Sequence, residues 1–217
     1  MGKTSVTMQV ENYEKLLGQI RDMKDKGRKV ISYTVKDIKK NAPSWIAQEV
    51  ATVYNFKKSE ITPSRSGKPK KLAGSIRISG ETVESISITY EGRLLTPVHF
   101  GMKPKKPYAG GKSYEITMEV IKGHPKTIGR YLKTRTPGGP YSERSHNILM
   151  GTGNTKEGGV SHIPFQRMSK NRTDLKKFTV ISVPQMITSE RTSEKIMQRL
   201  QTEANKALKH QFERFIK

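Results

Sequence analysis

The chain has 217 residues, with 41 Lys and Arg against 19 Asp and Glu, which gives a formal net charge of +22. So basic a balance requires an anionic partner, and the absence of cysteine excludes disulfides, thiolate metal sites and cysteine nucleophiles. A hydrophobic fraction of 33% is too high for a disordered chain but low for a monomeric globular protein. Proteins with small hydrophobic cores often gain stability by oligomerisation. No run of residues is long and apolar enough to span a bilayer.

Helical patterns dominate the first 60 residues. Val6, Met8 and Val10 alternate with polar residues and predict a short opening strand. Apolar residues at helical spacing then predict a helix over 13–40, in which Gly27 marks a bend or a close approach to a neighbour. Pro43 is predicted to end this helix and to begin a second one, so that the two form a helical hairpin.

In the middle of the chain, apolar and polar residues alternate with a period of two. After a basic loop at 62–71, residues 75–79 and 85–90 alternate and predict an antiparallel hairpin. Alternation or β-branched content predicts further strands at 94–100, 114–120, 160–168 and 178–183. Residues 133–139 and the glycine-rich stretch 151–159 are predicted to be loops.

The last element predicted is a long amphipathic helix over 189–216. The order of elements indicates an α+β fold, with a mainly antiparallel sheet flanked by the N-terminal helical hairpin and the C-terminal helix. We expect one domain over 1–217, divided into a helical part (1–60), a sheet with basic loops (72–184) and the final helix (189–216).

Catalytic and cofactor motifs are weak in this sequence. Gly111-Lys112-Ser113 has the ending of a phosphate-binding loop, but Lys106 stands where that motif needs glycine, and a strand is predicted to follow. The five histidines show no spacing of a helical zinc site. We therefore predict no catalytic residue, no cofactor and no metal, and hence a protein that is not an enzyme.

Glu115 and Glu119 share one face of a predicted strand. Two carboxylates on one face could perform acid–base chemistry. The alternative is a solvated face with lysines nearby, and the small number of carboxylates in the chain favours that alternative.

Clustered basic residues are the strongest signal. They fall in loops rich in proline and glycine, and flexible cations of this kind follow phosphates or acidic protein surfaces equally well. The candidate partner-facing residues are Arg65, Lys68, Lys70, Lys71, Lys103, Lys105, Lys106, Lys112, Lys126, Arg130, Lys133 and Arg135. Few aromatic residues accompany them, so base stacking is not predicted.

The last third of the chain carries a family resemblance. His-Ile-Pro-Phe-Gln-Arg-Met at 162–168, Phe-Thr-Val-Ile-Ser-Val-Pro-Gln-Met-Ile at 178–187 and the helix that ends at 209–216 resemble the minor tail protein Z family of tailed bacteriophages, also called tail-completion proteins. Residues 182–186, interpreted as the end of a strand, are its most specific part. The chain departs from the family in having Ile163-Pro164 where Pro-Ile is common, and in its glycine-rich insert at 151–159.

The resemblance implies a structural virion protein at the head-proximal end of a phage tail or a tail-like particle. Such a protein joins the tail to neck or connector proteins, and its expected partners are the tube, terminator and connector, further copies of itself in a ring commonly of six, and DNA in the channel. It is expected in the host cytoplasm during assembly and has no membrane partner. The alternatives are a sequence-independent nucleic-acid-binding protein and a basic nuclease.

Overall fold

The computed structural model of the protein describes residues 2–7, 18–20, 22–62, 75–108, 113–131, 148–154, 160–167 and 175–216. The predicted α+β class is confirmed, because helices occur together with antiparallel strands in small sheets. The chain divides into two compact units, the first from 1–53, 57–93 and 182–217 and the second from 54–56 and 94–181. That the whole chain folds as one domain stays a prediction.

The helices with complete bounds in the described part of the first unit are α1 (Asp25–Val53), α2 (Lys58–Ile61), α3 (Val183–Thr188) and α4 (Ser193–Ile216). Residues 18–20 are also helical, and Val83–Ser85 form a 3-10 helix. α1 and α4 pack antiparallel, since the ring of Tyr33 stacks on that of Phe215 while Asp37, one turn later, accepts a hydrogen bond from Gln211. The long C-terminal helix is thus confirmed, with its start at Ser193 rather than residue 189.

Pro43 does not break the first helix, so the predicted helical hairpin is wrong. α1 runs through Pro43, which lies buried inside it. An interior proline removes one hydrogen bond and costs about 3 kcal/mol. The apolar stripe Ile38, Ala42, Ile46 and Val50 continues in step across it and is fully buried, and burying each large side chain contributes roughly 1.5–3 kcal/mol. Tertiary packing therefore outweighs the local preference.

Gly27 marks a close approach, as predicted. It is buried near the start of α1, and a Cβ atom added there would collide with the carbonyl oxygen of Ile20. A residue without a side chain is thus required for this contact.

The first unit also contains a three-stranded antiparallel sheet in the order β1-β3-β2. Its strands are β1 (Gly2–Thr7), β2 (Ser75–Ser79) and β3 (Ser87–Gly92). Ile78 pairs with Ile88 and Ile76 with Tyr90, which confirms the predicted hairpin. An opening strand is present, but it covers Gly2–Thr7 and so begins before the predicted one; of the three residues that predicted it, Val6 lies in β1, and Met8 and Val10 lie outside the described residues.

The second unit contains two small antiparallel sheets rather than a continuation of the first. One pairs β4 (Tyr114–Met118) with β5 (Lys126–Tyr131), and the other has β6 (Ile148–Asn154), β7 (Val160–Arg167) and β8 (Leu175–Lys177) in chain order. Met102, Tyr114, Ile116 and Ile148 form a buried cluster. The predicted strands at 114–120 and 160–168 are confirmed within one or two residues.

Three predictions in this region are wrong. Residues 97–100 form a 3-10 helix, because Pro97 is suited to the first turn of a helix. The strand predicted at 178–183 is not found: β8 ends at Lys177, residues 178–182 have no regular secondary structure, and Val183 begins α3. Of the loop predicted at 151–159, residues 151–154 belong to β6, where pairing with β7 offsets the weak strand preference of glycine, and 155–159 lie outside the described residues. The other predicted loops, 63–71 and 133–139, lie outside the described residues.

Candidate partner-binding surface

β4 has one buried face and one open face. Tyr114, Ile116 and Met118 are buried, whereas Glu115 is exposed and Thr117 is half-buried. This alternation follows from the period of two in the sequence. The open face is where strand pairing places two of the predicted basic residues, Lys103 and Arg130.

β4 has a chain segment on each side. β5 pairs with one edge, and Lys103 bridges to the other. The backbone N–H of Lys103 donates to the carbonyl of Thr117 at 2.9 Å, and the N–H of Thr117 donates back to the carbonyl of Lys103 at 2.8 Å. Since neighbouring strands are about 4.8 Å apart, the backbones of Lys103 and β5 are separated by roughly 10 Å.

The pairing brings Lys103 and Arg130 to the open face. Lys103 and Thr127 lie opposite Thr117, and Arg130 lies opposite Glu115. Directly opposed residues project from the same side of a sheet. Two cations that are 27 positions apart in the sequence therefore share a surface with the exposed carboxylate of Glu115.

Glu115 and Glu119 both have structural partners. The guanidinium of Arg130 donates to the carboxylate of Glu115 at 2.6 Å, in a pair of which both side chains are more than half exposed. Glu119 accepts a hydrogen bond from the backbone N–H of Gly123 at 2.6 Å, which fixes the turn after β4. Glu115 thus lies on an exposed face beside a cation, as the solvated-face interpretation expects, whereas Glu119 is half-buried and follows the end of β4.

The segment after Lys103 adds further cations and one aromatic ring. Lys105 and Lys106 are exposed. Tyr108 is 55% exposed, and its ring stands edge-on against that of Tyr114, with 5.0 Å between centroids. We call Lys103, Lys105, Lys106 and Arg130 the basic face; Tyr108 is not part of it, because its ring contacts Tyr114, a residue on the buried side of β4.

Tyr108 is an exposed aromatic residue to which the sequence analysis gave no role. Its position inside a basic, proline-rich stretch is visible in the sequence, but its ring contact with Tyr114 is not.

Five of the twelve predicted basic residues fall within the described structure. Lys126 is exposed at the start of β5, opposite Met118, and the others are Lys103, Lys105, Lys106 and Arg130. The remaining seven lie outside the described residues; they are Arg65, Lys68, Lys70, Lys71, Lys112, Lys133 and Arg135.

Charge is denser in the second unit. By sequence that unit has 16 Lys and Arg against 5 Asp and Glu, a net +11 over 91 residues. The first unit has 25 against 14, also a net +11, but over 126 residues. The basic face therefore lies in the more strongly charged unit.

Among the residues that the structure describes, no three His, Asp or Glu side chains lie close enough together to hold a metal ion. None of the helices in that part of the chain has the length and apolarity needed to cross a membrane. Of the phosphate-loop-like sequence, Gly111 and Lys112 lie outside this part, and the strand predicted after it is β4.

Comparison of the chain with protein-family models, with curated proteins and with solved structures finds no match. The resemblance to tail-completion proteins thus depends on the sequence segments quoted above.

Proposed function

We propose that the chain is a non-enzymatic assembly protein that binds an anionic partner through the basic face, and that it acts as a tail-completion protein of a phage or tail-like particle. The observation that carries the first part is the pairing that brings Lys103 and Arg130 together on the open side of β4. The second part follows from the resemblance at 162–168, 178–187 and 209–216.

An acidic protein surface is the partner that suits the basic face best. Tyr and Arg are enriched among the residues that dominate protein interfaces. Lysines at the rim of such an interface contribute more to the rate and orientation of encounter than to affinity. The basic face offers Arg130 on β5 and Lys105 and Lys106 in the segment after Lys103, and the exposed Tyr108 lies in the same segment.

Sheet edges provide a second means of assembly. β1 and β2 end the sheet of the first unit, and β6 and β8 end one sheet of the second unit. Edge strands carry backbone groups that can pair with another chain. Edge pairing between copies, with the basic face directed at the tail or neck partner, is the arrangement we propose for a ring.

The full chain and its particle test this proposal. Light scattering and negative-stain microscopy should show a ring, and a gold-labelled antibody should mark the head-proximal end of tails made by cells that encode the chain. A purified protein that stays monomeric with tail proteins, or a label found away from particles, contradicts the tail role.

Charge reversal tests the basic face. We expect Lys105→Glu with Lys106→Glu to weaken binding to the neck or tail partner about tenfold, because opposite-charge contacts become like-charge contacts. Lys176→Glu with Lys177→Glu is the matched control, since it reverses two adjacent exposed lysines of β8 in the same unit. Equal weakening by both variants would mean that only the overall charge matters.

Sequence-independent nucleic-acid binding is the second candidate, and Tyr108 is the observation that favours it. An exposed ring among lysines can stack on a base while the cations contact phosphates. Titration of the protein with oligo-dT at several salt concentrations distinguishes the two candidates. Tight binding with a steep salt slope, lost in Tyr108→Ala, supports nucleic-acid binding over the assembly role.

A further inference from the structure

A groove on the first unit follows the N-terminal half of α1. It has a volume of about 380 Å³. One wall is the turn after β2, through Gly80 and Glu81, and the other is a single face of the helix. The helical residues in the lining are Arg28, Ile31, Ser32, Val35, Lys36 and Lys39. At 1.5 Å per residue, Arg28 to Lys39 covers roughly 16 Å of the helix axis.

The lining is apolar below and cationic at the rim. Val35 is buried and Ile31 half-buried, whereas Arg28 and Lys36 are exposed and Lys39 is half-buried. Glu81 is the one carboxylate among the lining residues, and Arg28 also pairs with Asp25, outside the lining, at 3.8 Å with both side chains exposed. The groove is thus complementary to a segment with an apolar side chain between carboxylates.

Lys36 lies over one aromatic ring. Its ammonium lies 5.2 Å from the centroid of the Tyr33 ring, and the guanidinium of Arg214 lies 5.5 Å from the same centroid. Tyr33 in turn stacks on Phe215 at 5.6 Å. A rim cation that is already positioned loses less conformational freedom when it binds a ligand.

The opposite wall is also fixed. Gly80 has φ +106°, and a Cβ atom there would collide with the carbonyl oxygen of Ser85. The hydroxyl of Thr82 donates to that of Ser85 at 2.8 Å, and the N–H of Thr82 donates to the same oxygen at 3.1 Å. The groove therefore has two defined walls before any partner binds.

We propose that this groove binds an acidic segment of a partner protein. The segment is extended and about five residues long, since each extended residue covers about 3.3 Å. Its central apolar side chain lies on Ile31 and Val35, and its carboxylates meet Arg28, Lys36 and Lys39. The groove is separate from the basic face, so the inference does not depend on the proposed tail role.

A labelled peptide tests the inference on the full chain. The probe is acetyl-Glu-Asp-Leu-Asp-Glu-amide, followed by fluorescence anisotropy in about 50 mM NaCl, where screening is moderate. We expect Lys36→Glu with Lys39→Glu to weaken binding at least about tenfold. The matched control, Lys29→Glu with Lys40→Glu, reverses two α1 lysines outside the lining and should weaken binding less than about threefold, through long-range charge alone.

Two further arms use the unaltered protein, so they remain decisive if a variant fails to fold. Replacing the peptide's leucine by serine should weaken binding about tenfold, because the apolar floor loses its contact. The inference is overturned if the serine peptide binds equally well, if both charge reversals act equally, or if Lys36→Glu with Lys39→Glu weakens the binding of a five-nucleotide oligo-dT more than that of the peptide.

Discussion

At the scale of single residues, Tyr90 is the most unusual side chain. It is fully buried on β3, and within the described part of the chain its hydroxyl has no hydrogen-bond partner. A buried hydroxyl without a partner costs about 1–3 kcal/mol. We therefore expect Tyr90→Phe to leave the free energy of unfolding unchanged or to raise it by about 1 kcal/mol. Urea denaturation at neutral pH measures this, and a loss above about 1 kcal/mol would show that the hydroxyl makes a stabilising bond.

Tyr90 also predicts how stability changes at alkaline pH. Burial raises the pKa of Tyr90 well above its ordinary value, because the phenolate would lose its hydration. The pKa of Tyr90 in the folded chain lies above its value in the unfolded chain. Its contribution to the free energy of unfolding is therefore complete below about pH 10 and declines as the pH rises further. The slope approaches about 1.4 kcal/mol per pH unit.

Comparison with Tyr90→Phe isolates this effect, since all other titrating groups are shared. Between about pH 10 and pH 11, the free energy of unfolding should fall more steeply in the natural chain than in the variant. Parallel pH profiles would contradict the burial of this hydroxyl.

Ser182 shows a local signal that sequence reasoning overlooked. Its hydroxyl accepts from the N–H of Gln185 at 3.4 Å, and its own N–H donates to the side chain of Gln185 at 2.9 Å. Ser-Val-Pro-Gln is thus a capping box with proline in the first turn. The β-branched residues Val180, Ile181 and Val183 favoured a strand end instead, although the spacing of Ser182 and Gln185 could have predicted the start of α3.

The cap gives a second stability prediction. Ser182→Ala should lower the free energy of unfolding by about 1 kcal/mol, because the first turn of α3 loses an acceptor. Ser44→Ala is the control, since Ser44 is exposed within α1 and alanine there should be neutral or slightly stabilising. Thermal unfolding followed by circular dichroism measures both variants. Equal midpoints for the natural chain and Ser182→Ala would refute the role of the cap.

At the scale of elements, the structure shows where local rules are sufficient. The hairpin of β2 and β3 and the long α4 follow from periodicity, because each buries one regular face. β6 could not be predicted, since Gly151 and Gly153 favour a loop and only pairing with β7, which follows later in the chain, holds them extended. The basic face could not be predicted from the sequence either, because Lys103 and Arg130 are brought together only by pairing with β4.

Pro43 provides the prediction at this scale. Pro43→Ala should restore a hydrogen bond in the middle of α1 and remove a steric clash worth about 3 kcal/mol. The unfolded chain gains freedom worth about 1 kcal/mol, so the free energy of unfolding should rise by about 1–2 kcal/mol. Guanidinium denaturation measures the change. A decrease would show that packing of the proline ring around Ala42 and Ile46 outweighs the restored bond.

At the scale of the whole molecule, charge is the dominant property. The sequence fixes the net +22, and its equal division into +11 for each unit becomes visible only from the fold. The ion pairs in the described part of the chain are mostly exposed, such as Arg28 with Asp25 and Lys209 with Glu213. Exposed pairs contribute roughly 0–1 kcal/mol each, so they offset little of the repulsion between the many remaining cations.

Repulsion on this scale makes salt a stabiliser. Raising NaCl from about 20 mM to about 500 mM shortens the screening length to a few ångström, and the unfolding midpoint should rise by about 2–4 °C for each 1 kcal/mol of repulsion removed. At low salt, polyglutamate should raise the midpoint further, because it binds the folded cationic surface, whereas polylysine should not. A midpoint that falls with NaCl would mean that specific ion pairs outweigh the net charge. In that case the folded chain would be stable without the anionic partner that its composition otherwise requires.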